Sequence, residues 1–337
     1  MIENDKNLEP RKVQKLGASS LIVTLPKRWA TTLGIKPGDT VYLKYSDTHI
    51  KIIPQSILDN NKTIEINIGK DIPENLSRVA VSCLYILGVE DAIINVPGEE
   101  KSKILLDIKS ASQDLVGVDI IEDNGSLRFR VFIDPKKLDF NSIIKNFDNI
   151  ISMLIENILE IIETGIADER KNEIVKRDII RYQHLLLRLL KEQARDDPHF
   201  ANGSESCSIG LGTYLGLAAD SLLNLARTLT ELVKRGEKPE YNDESVALLK
   251  EVKKLISEML SIFRTRDADT LMRLREKTNM LQVKLMEHIT RASSKTDVLV
   301  SSMLLPVIRI IKIYTGILYC YILEREVLKR GGIWPYF

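Results

Sequence analysis

The segment between Pro10 and Pro37 carries six basic side chains and no acidic one. These side chains are Arg11, Lys12, Lys15, Lys27, Arg28 and Lys36. The chain as a whole is nearly neutral, because 48 lysines and arginines stand against 47 aspartates and glutamates. A local excess of positive charge in a balanced chain indicates a surface for phosphates, since lysine and arginine neutralise phosphates and release their counterions. Arginine can also read guanine edges in the major groove.

The other residues of chemical interest show no spacing that predicts catalysis or a bound cofactor. The chain has neither a Gly-x-x-x-x-Gly-Lys-Ser/Thr phosphate loop nor a Gly-x-Ser-x-Gly nucleophile turn. Its cysteines and histidines are scattered, without the spacing of zinc or di-iron ligands. They are Cys83, Cys207, Cys320, His49, His184, His199 and His288. We therefore expect no enzyme, no catalytic residue, no metal site and no cofactor, and we expect a reducing compartment.

The basic segment lies in a short unit whose elements are separated by turn residues. We predict a hairpin around Gly17–Ser20, a helix from Pro26 to Gly34, a type II turn over Lys36–Asp39 and a second hairpin turning at Ser46–Thr48. The predicted strands are Val13–Leu16, Leu21–Leu25, Thr40–Tyr45 and His49–Ile53. About forty residues is close to the lower limit for a stable core, so we expect the unit to dimerise.

This unit resembles the swapped-hairpin DNA-binding domain of the AbrB/MazE/SpoVT family. The matching segments are Arg11–Val13, Leu16–Gly17, Val23–Pro26, Trp29–Gly34 and Ile35–Asp39. The resemblance implies an intertwined homodimer whose basic residues near the start of each chain lie against DNA. It implies Arg11, Lys12 and Lys15 as the main DNA contacts, with Lys27 and Arg28 holding phosphates. Ser19 and Ser20 are further candidates for phosphate contacts.

A second unit, from about Lys62 to Asp134, reads as a small α+β domain. Its predicted elements are strand Thr63–Ile68, helix Pro73–Leu87, strand Ala92–Val96, helix Lys103–Leu115 and strands Val118–Glu122 and Ser126–Ile133. The segment Asp123–Gly125 is a strong hairpin-turn signal. The sequence leaves the role of this unit open between sensing a small ligand, dimer contacts and spacing.

The chain from Phe140 onward has helical periodicity, with apolar residues at spacings of three and four. Six helices are predicted, in two sets of three, which indicates an internal duplication of a three-helix bundle. After a first helix around Ile150–Ile161, they are Asp168–Ala194, Leu211–Arg235, Asp243–Phe263, Ala268–Arg291 and Val298–Lys329. The breaks fall at Asp197–Pro198, Asn202–Ser204 and Gly236–Pro239.

The helical region resembles the PhoU family, which has two homologous three-helix bundles and acts in phosphate-uptake signalling. The supporting residues are Leu215–Asp220 followed by Leu223–Arg227. In that family a Glu-x-x-x-Asp pair helps to hold metal ions. Here Asp220 remains but Gly216 takes the place of the glutamate, and Ile310–Gly316 in the second repeat has no carboxylate. Asp178 and Glu173 could join Asp220, but we expect no PhoU-type metal cluster.

The combined interpretation is a multi-domain chain: a β-rich swapped-hairpin domain at 8–56, a small α+β domain at 60–136 and PhoU-like three-helix repeats at 139–236 and 240–332. We expect a cytoplasmic transcriptional regulator of phosphate-homeostasis genes whose partners are DNA, a second copy and a phosphate-transporter or signalling protein. The alternative is an adaptor that binds a transporter ATPase or sensor kinase without binding DNA. An antitoxin is a third interpretation, against which the long helical region argues.

Two further expectations concern membranes and the chain ends. The start of the chain is polar and acidic, so we expect no signal peptide. The most apolar stretch, Leu304–Leu323, contains Arg309 and Lys312, so we expect a packed helix without membrane insertion. The apolar tail Gly331–Phe337 either folds back on the bundle or docks a partner, and the first is favoured.

Overall fold

The computed structural model describes residues 9–45, 50–55, 63–71, 73, 76–96, 101–123, 125–196, 204–240, 242–265 and 267–329. Several predicted features lie wholly or partly outside these residues. They are the turns at Ser46–Thr48 and Asp123–Gly125, the start of strand His49–Ile53, part of helix Pro73–Leu87, the breaks at Asp197–Pro198 and Asn202–Ser204, and the tail Gly331–Phe337. The chain divides into two compact units, residues 1–62 and residues 63–337.

The first unit contains two antiparallel hairpins and one short helix. Its elements are β1 (Gln14–Leu16), β2 (Ser20–Ile22), α1 (Lys27–Thr32), β3 (Val41–Tyr45) and β4 (Ile50–Pro54). Each hairpin forms its own two-stranded sheet. The predicted order of elements is confirmed, but the predicted strand Leu21–Leu25 is too long. It ends at Ile22 because β1 offers only three residues for pairing.

The second unit begins with a four-stranded sheet and two helices. These elements are β5 (Ile64–Asn67), α2 (Ser77–Ile86), β6 (Asp91–Asn95), α3 (Lys101–Ser112), β7 (Val118–Asp123) and β8 (Ser126–Val131). The strand order is β5-β6-β8-β7, with β5 parallel to β6 and the other pairs antiparallel. Alternate strand residues such as Ile94 and Phe129 are buried, as expected for a sheet covered on one face.

Six long helices follow, and all of them contribute to one apolar core with the sheet. They are α4 (Phe140–Thr164), α5 (Glu169–Asp196), α6 (Ser204–Lys234), α7 (Asp243–Thr265), α8 (Ala268–Arg291) and α9 (Lys295–Lys329). Within the set α4–α6, and within the set α7–α9, every helix contacts the other two. The two sets are joined by α6 against α9 and by α4 against α7.

Local signals explain several helix ends. Asp139 caps α4, since its carboxylate accepts hydrogen bonds from the backbone amides of Asn141 at 3.1 Å and Ser142 at 3.2 Å. These bonds and the Ser142 hydroxyl lower the pKa of Asp139. The same helix ends at Gly165, whose φ of 67° is the left-handed conformation that glycine tolerates.

Three predicted helix starts are wrong by three residues or more, and the smallest of these differences is at α9, which begins at Lys295 rather than Val298. Helix α2 begins at Ser77 rather than Pro73, because the Leu76 amide bonds to the Pro73 carbonyl in a separate turn. Helix α6 begins at Ser204 rather than Leu211. Its early glycines are weak helix formers, but Gly212 packs directly on Leu187, so tertiary contact outweighs propensity there.

Among the residues that the structure describes, two stretches are long and apolar enough to cross a membrane by length and composition alone, Ile209–Lys234 and Lys295–Cys320. Helices of this kind also form the cores of bundles. In this fold they pack against each other, and α9 residues such as Leu304 and Ile308 are fully buried in the helical core. Lys312, in the middle of the second stretch, donates a hydrogen bond to Gln282 at 2.9 Å.

Candidate nucleic-acid interface

The first hairpin presents part of the cationic segment. Gly17 has a φ of 67°, which lets the chain reverse between β1 and β2. Lys15 lies opposite Leu21 in the strand register, and Arg11 and Lys12 precede β1 in the same segment. Arg11, Lys12 and Lys15 are all exposed, as are Ser19 and Ser20 at the turn. The hairpin therefore offers its cations to solvent.

Helix α1 positions the second group of cations. It follows Pro26, and its end is closed by two backbone bonds, Ile35 to Ala30 at 2.9 Å and Gly34 to Thr31 at 3.1 Å. This pair of bonds, with a positive φ at Gly34, is the Schellman arrangement. Lys27 and Arg28 occupy the first turn of this short helix and are exposed.

The turn after α1 confirms its sequence signal. The Asp39 amide donates to the Lys36 carbonyl at 3.0 Å, and Gly38 has the positive φ that a type II turn needs at its third position. The Asp39 carboxylate also accepts from the Lys36 amide at 2.7 Å. This turn sets the start of β3, which pairs with β4 over five residues.

The cationic side chains of the first unit differ in whether an acidic side chain compensates their charge. Arg11 forms an ion pair with Glu9, just outside the acid-free window, and donates to the Pro10 carbonyl at 3.0 Å. Within the residues that the structure describes, Lys12, Lys15 and the two α1 cations have no ion-pair partner. Four of the five predicted contact residues thus keep an uncompensated charge.

The first unit lacks a core of its own. Among its described residues, Pro54 is the single buried one. Large apolar side chains stand in solvent instead: Val13, Leu16, Leu21, Ile22, Val23, Tyr42, Leu43, Tyr45 and Ile50. Leu21 is 72% exposed and Tyr45 is 77% exposed. Burying one such side chain contributes about 1.5–3 kcal/mol, so this surface strongly favours a partner.

The shape of the unit fits the same conclusion. An open cleft of about 490 Å³ runs between α1 and β4 and is lined largely by apolar groups, among them Leu25, Trp29, Ile50 and Ile52. Isolated two-stranded hairpins are marginally stable in water. A second copy that inserts apolar side chains here would supply the missing core.

The helical region does not assemble the predicted carboxylates into a metal site. The Glu173 carboxylate accepts from Arg227 at 2.7 Å, and this contact lowers its pKa. Exposed Asp220 accepts a hydrogen bond from Asn224 at 3.3 Å. In the described part of the chain, no three His, Cys, Asp or Glu side chains lie in a group that could hold a metal ion.

The sequence does not predict the following two groups of buried polar contacts. The side chains of Asn157, Asn172 and Thr230 form a hydrogen-bonded series across α4, α5 and α6. Arg188 of α5 is 1% exposed and reaches the backbone of the α+β domain. The sequence does show polar residues at helix positions where the apolar periodicity predicts burial. It does not show which groups they bond to, because those partners depend on tertiary structure.

Comparison with known proteins bears on the first unit. A family profile described as "Antidote-toxin recognition MazE, bacterial antitoxin" matches residues 14–58. No curated protein and no solved structure matches the chain. Residues 14–58 are thus a MazE/AbrB-type antitoxin domain with a β-hairpin, followed by a helical C-terminal region. Domains of this type bind DNA and dimerise.

Proposed function

We propose that this protein is a dimeric, cytoplasmic, DNA-binding transcriptional regulator without enzymatic activity. The observation that carries the proposal is the first unit: exposed cations without counter-charges on a domain whose apolar side chains lack a core. A second copy supplies that core, and two copies place two sets of Lys12, Lys15, Lys27 and Arg28 on one particle. Binding to duplex DNA then follows from counterion release.

The helical region is proposed to be PhoU-like and to receive a phosphate-status signal that regulates uptake genes. Support comes from the two sets of three mutually packed helices, α4–α6 and α7–α9, joined along α6 and α9. The sequence resemblance around Leu215–Asp220 supports the same assignment. A signal received there must distinguish two states of different DNA affinity. A partner protein fits this role better than a metal ion, given the ion-paired Glu173.

The test is a salt series with the full chain and a fluorescent duplex from upstream of its own gene. The triple variant Arg11→Ala/Lys12→Ala/Lys15→Ala should bind weakly, with a reduced slope of log affinity against log salt. Each phosphate contact contributes about 0.9 to that slope. Arg11 should contribute least, because Glu9 already compensates its charge.

A matched control removes the same charge elsewhere. Lys145, Lys250 and Lys254 are exposed on α4 and α7, so the variant Lys145→Ala/Lys250→Ala/Lys254→Ala tests for a general charge effect. It should keep the wild-type slope. Equal slopes for the two triple variants would contradict DNA binding by the first unit and favour the adaptor alternative.

An antitoxin-like function is the second candidate, because the matching profile is described by toxin recognition. Its protein partner would be held by the exposed apolar side chains as well as by charge. In that case the N-terminal triple variant would still bind its protein partner after losing DNA. The long, well-packed helical region favours the regulator, since it gives the chain a second folded module.

A further inference from the structure

Helix α5 faces the α+β domain with three cationic or titratable side chains on one stripe. Arg181, His184 and Arg188 are spaced by three and four residues and therefore share a helix face. The contact surface between this stripe and the α+β domain is called the α5 seam below. The Asp114 carboxylate acts electrostatically on His184, and the Arg181 charge acts on Tyr85 of α2. Helix α5 contacts α2 directly, so the stripe lies against the α+β domain.

Arg188 is the main polar contact of the α5 seam. Its Nη1 donates to the Tyr85 carbonyl at 2.7 Å and the Val89 carbonyl at 3.2 Å. Its guanidinium carbon lies 5.0 Å from the centre of the Tyr85 ring, a cation–π distance. Tyr85 lies in the last turn of α2 and Val89 follows the end of that helix, and carbonyls at a helix C-terminus attract positive charge.

The seam is incompletely hydrogen-bonded. In the described residues four buried side-chain polar atoms have no hydrogen-bond partner, and three of them belong to this stripe. They are Nε of Arg181, Nδ1 of His184 and Nε of Arg188. A buried polar group without a partner costs about 1–3 kcal/mol. Among the described residues, buried polar atoms without a partner are therefore concentrated where α5 meets the α+β domain.

The charges around the α5 seam indicate which kind of interaction its unpartnered atoms lack. Arg78 pairs with Asp114, and the charges of Glu90 and Glu192 act on Arg188. Carboxylates thus offset Arg78 and Arg188, and the unpartnered nitrogen atoms of the stripe need hydrogen-bond partners. Water supplies these partners when the surfaces separate.

We propose that the α+β domain separates from helix α5 and opens as one cooperative unit, while the bundle α4–α6 stays folded. Opening exposes the three unpartnered groups to water, which lowers the free-energy cost of opening, and it leaves the core of the helical bundle intact. Separating the apolar contacts between α5 and α6 would bring no such gain of hydrogen bonds to water. This inference rests on the proposed function: the α+β domain follows the DNA-binding unit in the chain, so its opening is a device by which the helical bundle can regulate the domain that leads to that unit.

Hydrogen exchange of the full chain, followed by mass spectrometry in low denaturant, tests the proposal. Amides of α2 should exchange together and at least about tenfold faster than those of α4 and α6. The variant Arg188→Met breaks both carbonyl contacts and should speed α2 exchange. The variant His184→Leu removes an unpartnered buried group and should slow α2 exchange by about tenfold.

Arg188→Met and His184→Leu should change the α2 exchange rate in opposite directions, whereas a simple loss of packing would speed exchange in both variants. His288→Leu is the control, because His288 is a buried histidine whose Nδ1 bonds to the Ser301 hydroxyl at 2.7 Å, whereas Nδ1 of partly buried His184 has no partner. It should destabilise α8 and α9 and leave α2 unchanged. If α2 exchanges only with α4 and α6, or if His184→Leu speeds exchange as Arg188→Met does, the proposal is wrong.

Discussion

Gly216 of α6 lies directly against Gln183 of α5. A Cβ atom added at Gly216 would be 2.0 Å from Nε2 and 2.6 Å from Oε1 of Gln183. The Gln183 amide thus fills the space that a side chain at Gly216 would need. This is the position at which the PhoU resemblance places a glutamate, so the carboxylate pair with Asp220 has no room to form while Gln183 keeps its place.

The substitution Gly216→Ala should stabilise by less than about 1 kcal/mol, the amount that alanine gains over glycine as a helix former. The Gln183 amide, which is the flexible end of its side chain, must move aside, and this displacement offsets part of the gain. In a Gln183→Ala background the same substitution should give the full gain. Urea unfolding followed by circular dichroism measures both effects. Gly316→Ala is the control, since nothing lies within 4 Å of its added Cβ, and it should stabilise in either background.

Local signals in the sequence were sufficient for the first unit. Gly34 and Gly38 have the positive φ values that their positions predict, because the turns that need them are closed by bonds within six residues. The contact of Gln183 with Gly216 spans two helices, and Arg188 reaches a domain about a hundred residues earlier. Such pairs depend on how elements pack, which periodicity does not encode. The periodicity does identify the buried stripes, as Ile151 and Leu154 of α4 show.

The substitution Leu21→Asp should dissociate the dimer. Leu21 is 72% exposed in the single chain, and burying it in a second copy would contribute about 1.5–3 kcal/mol. An aspartate there would bring an unpaired charge into that contact. Size-exclusion chromatography with light scattering should show twice 38.3 kDa for the wild type and the monomer mass for the variant.

Leu106 provides the matched control for this test. It is 68% exposed on α3, in the other compact unit, so Leu106→Asp makes the same chemical change without altering the first unit. This variant should remain dimeric and bind DNA. A monomeric wild type, or dissociation by Leu106→Asp as well, would contradict dimerisation through the first unit.

Docking of the α+β domain should weaken in mild acid. Burial lowers the pKa of His184, whereas an exposed histidine titrates near 6.5. Below about pH 6.5 the undocked state therefore binds a proton that the docked state resists, and docking loses stability as the pH falls. The facing groups are Asp114 and Arg78, with Arg181 and Arg188 on the same helix.

Hydrogen exchange of α2 between pH 5.5 and pH 8, corrected for intrinsic exchange rates, measures this dependence. Aspartate and glutamate ordinarily titrate near pH 4, so their titration lies below this pH range. The wild type should show faster opening at the acidic end, and His184→Leu should remove the trend. An equal trend in both proteins would assign the effect to another group.

The buried series Asn157–Asn172–Thr230 should be strongly coupled. Asn157 donates to Asn172 at 3.0 Å, Asn172 donates to Thr230 at 2.9 Å, and all three side chains are buried. Asn172→Ala leaves the Asn157 amide buried without its acceptor, which costs about 1–3 kcal/mol beyond the lost packing. Asn157→Ala/Asn172→Ala removes donor and acceptor together. Its loss of unfolding free energy should therefore be smaller than the sum of the two single losses.

Urea unfolding of the two single variants and the double variant gives the coupling between Asn157 and Asn172. Exposed Asn224→Ala on α6 is the control and should change stability by at most about 0.5 kcal/mol. Additive losses would mean that water already satisfies Asn157 when Asn172 is absent. A coupled series would instead fix the relative rotation of α4 and α5, because the Asn157 and Asn172 amides must face each other for the hydrogen bond to form. An apolar contact of similar area sets no such condition on the rotation of the two helices.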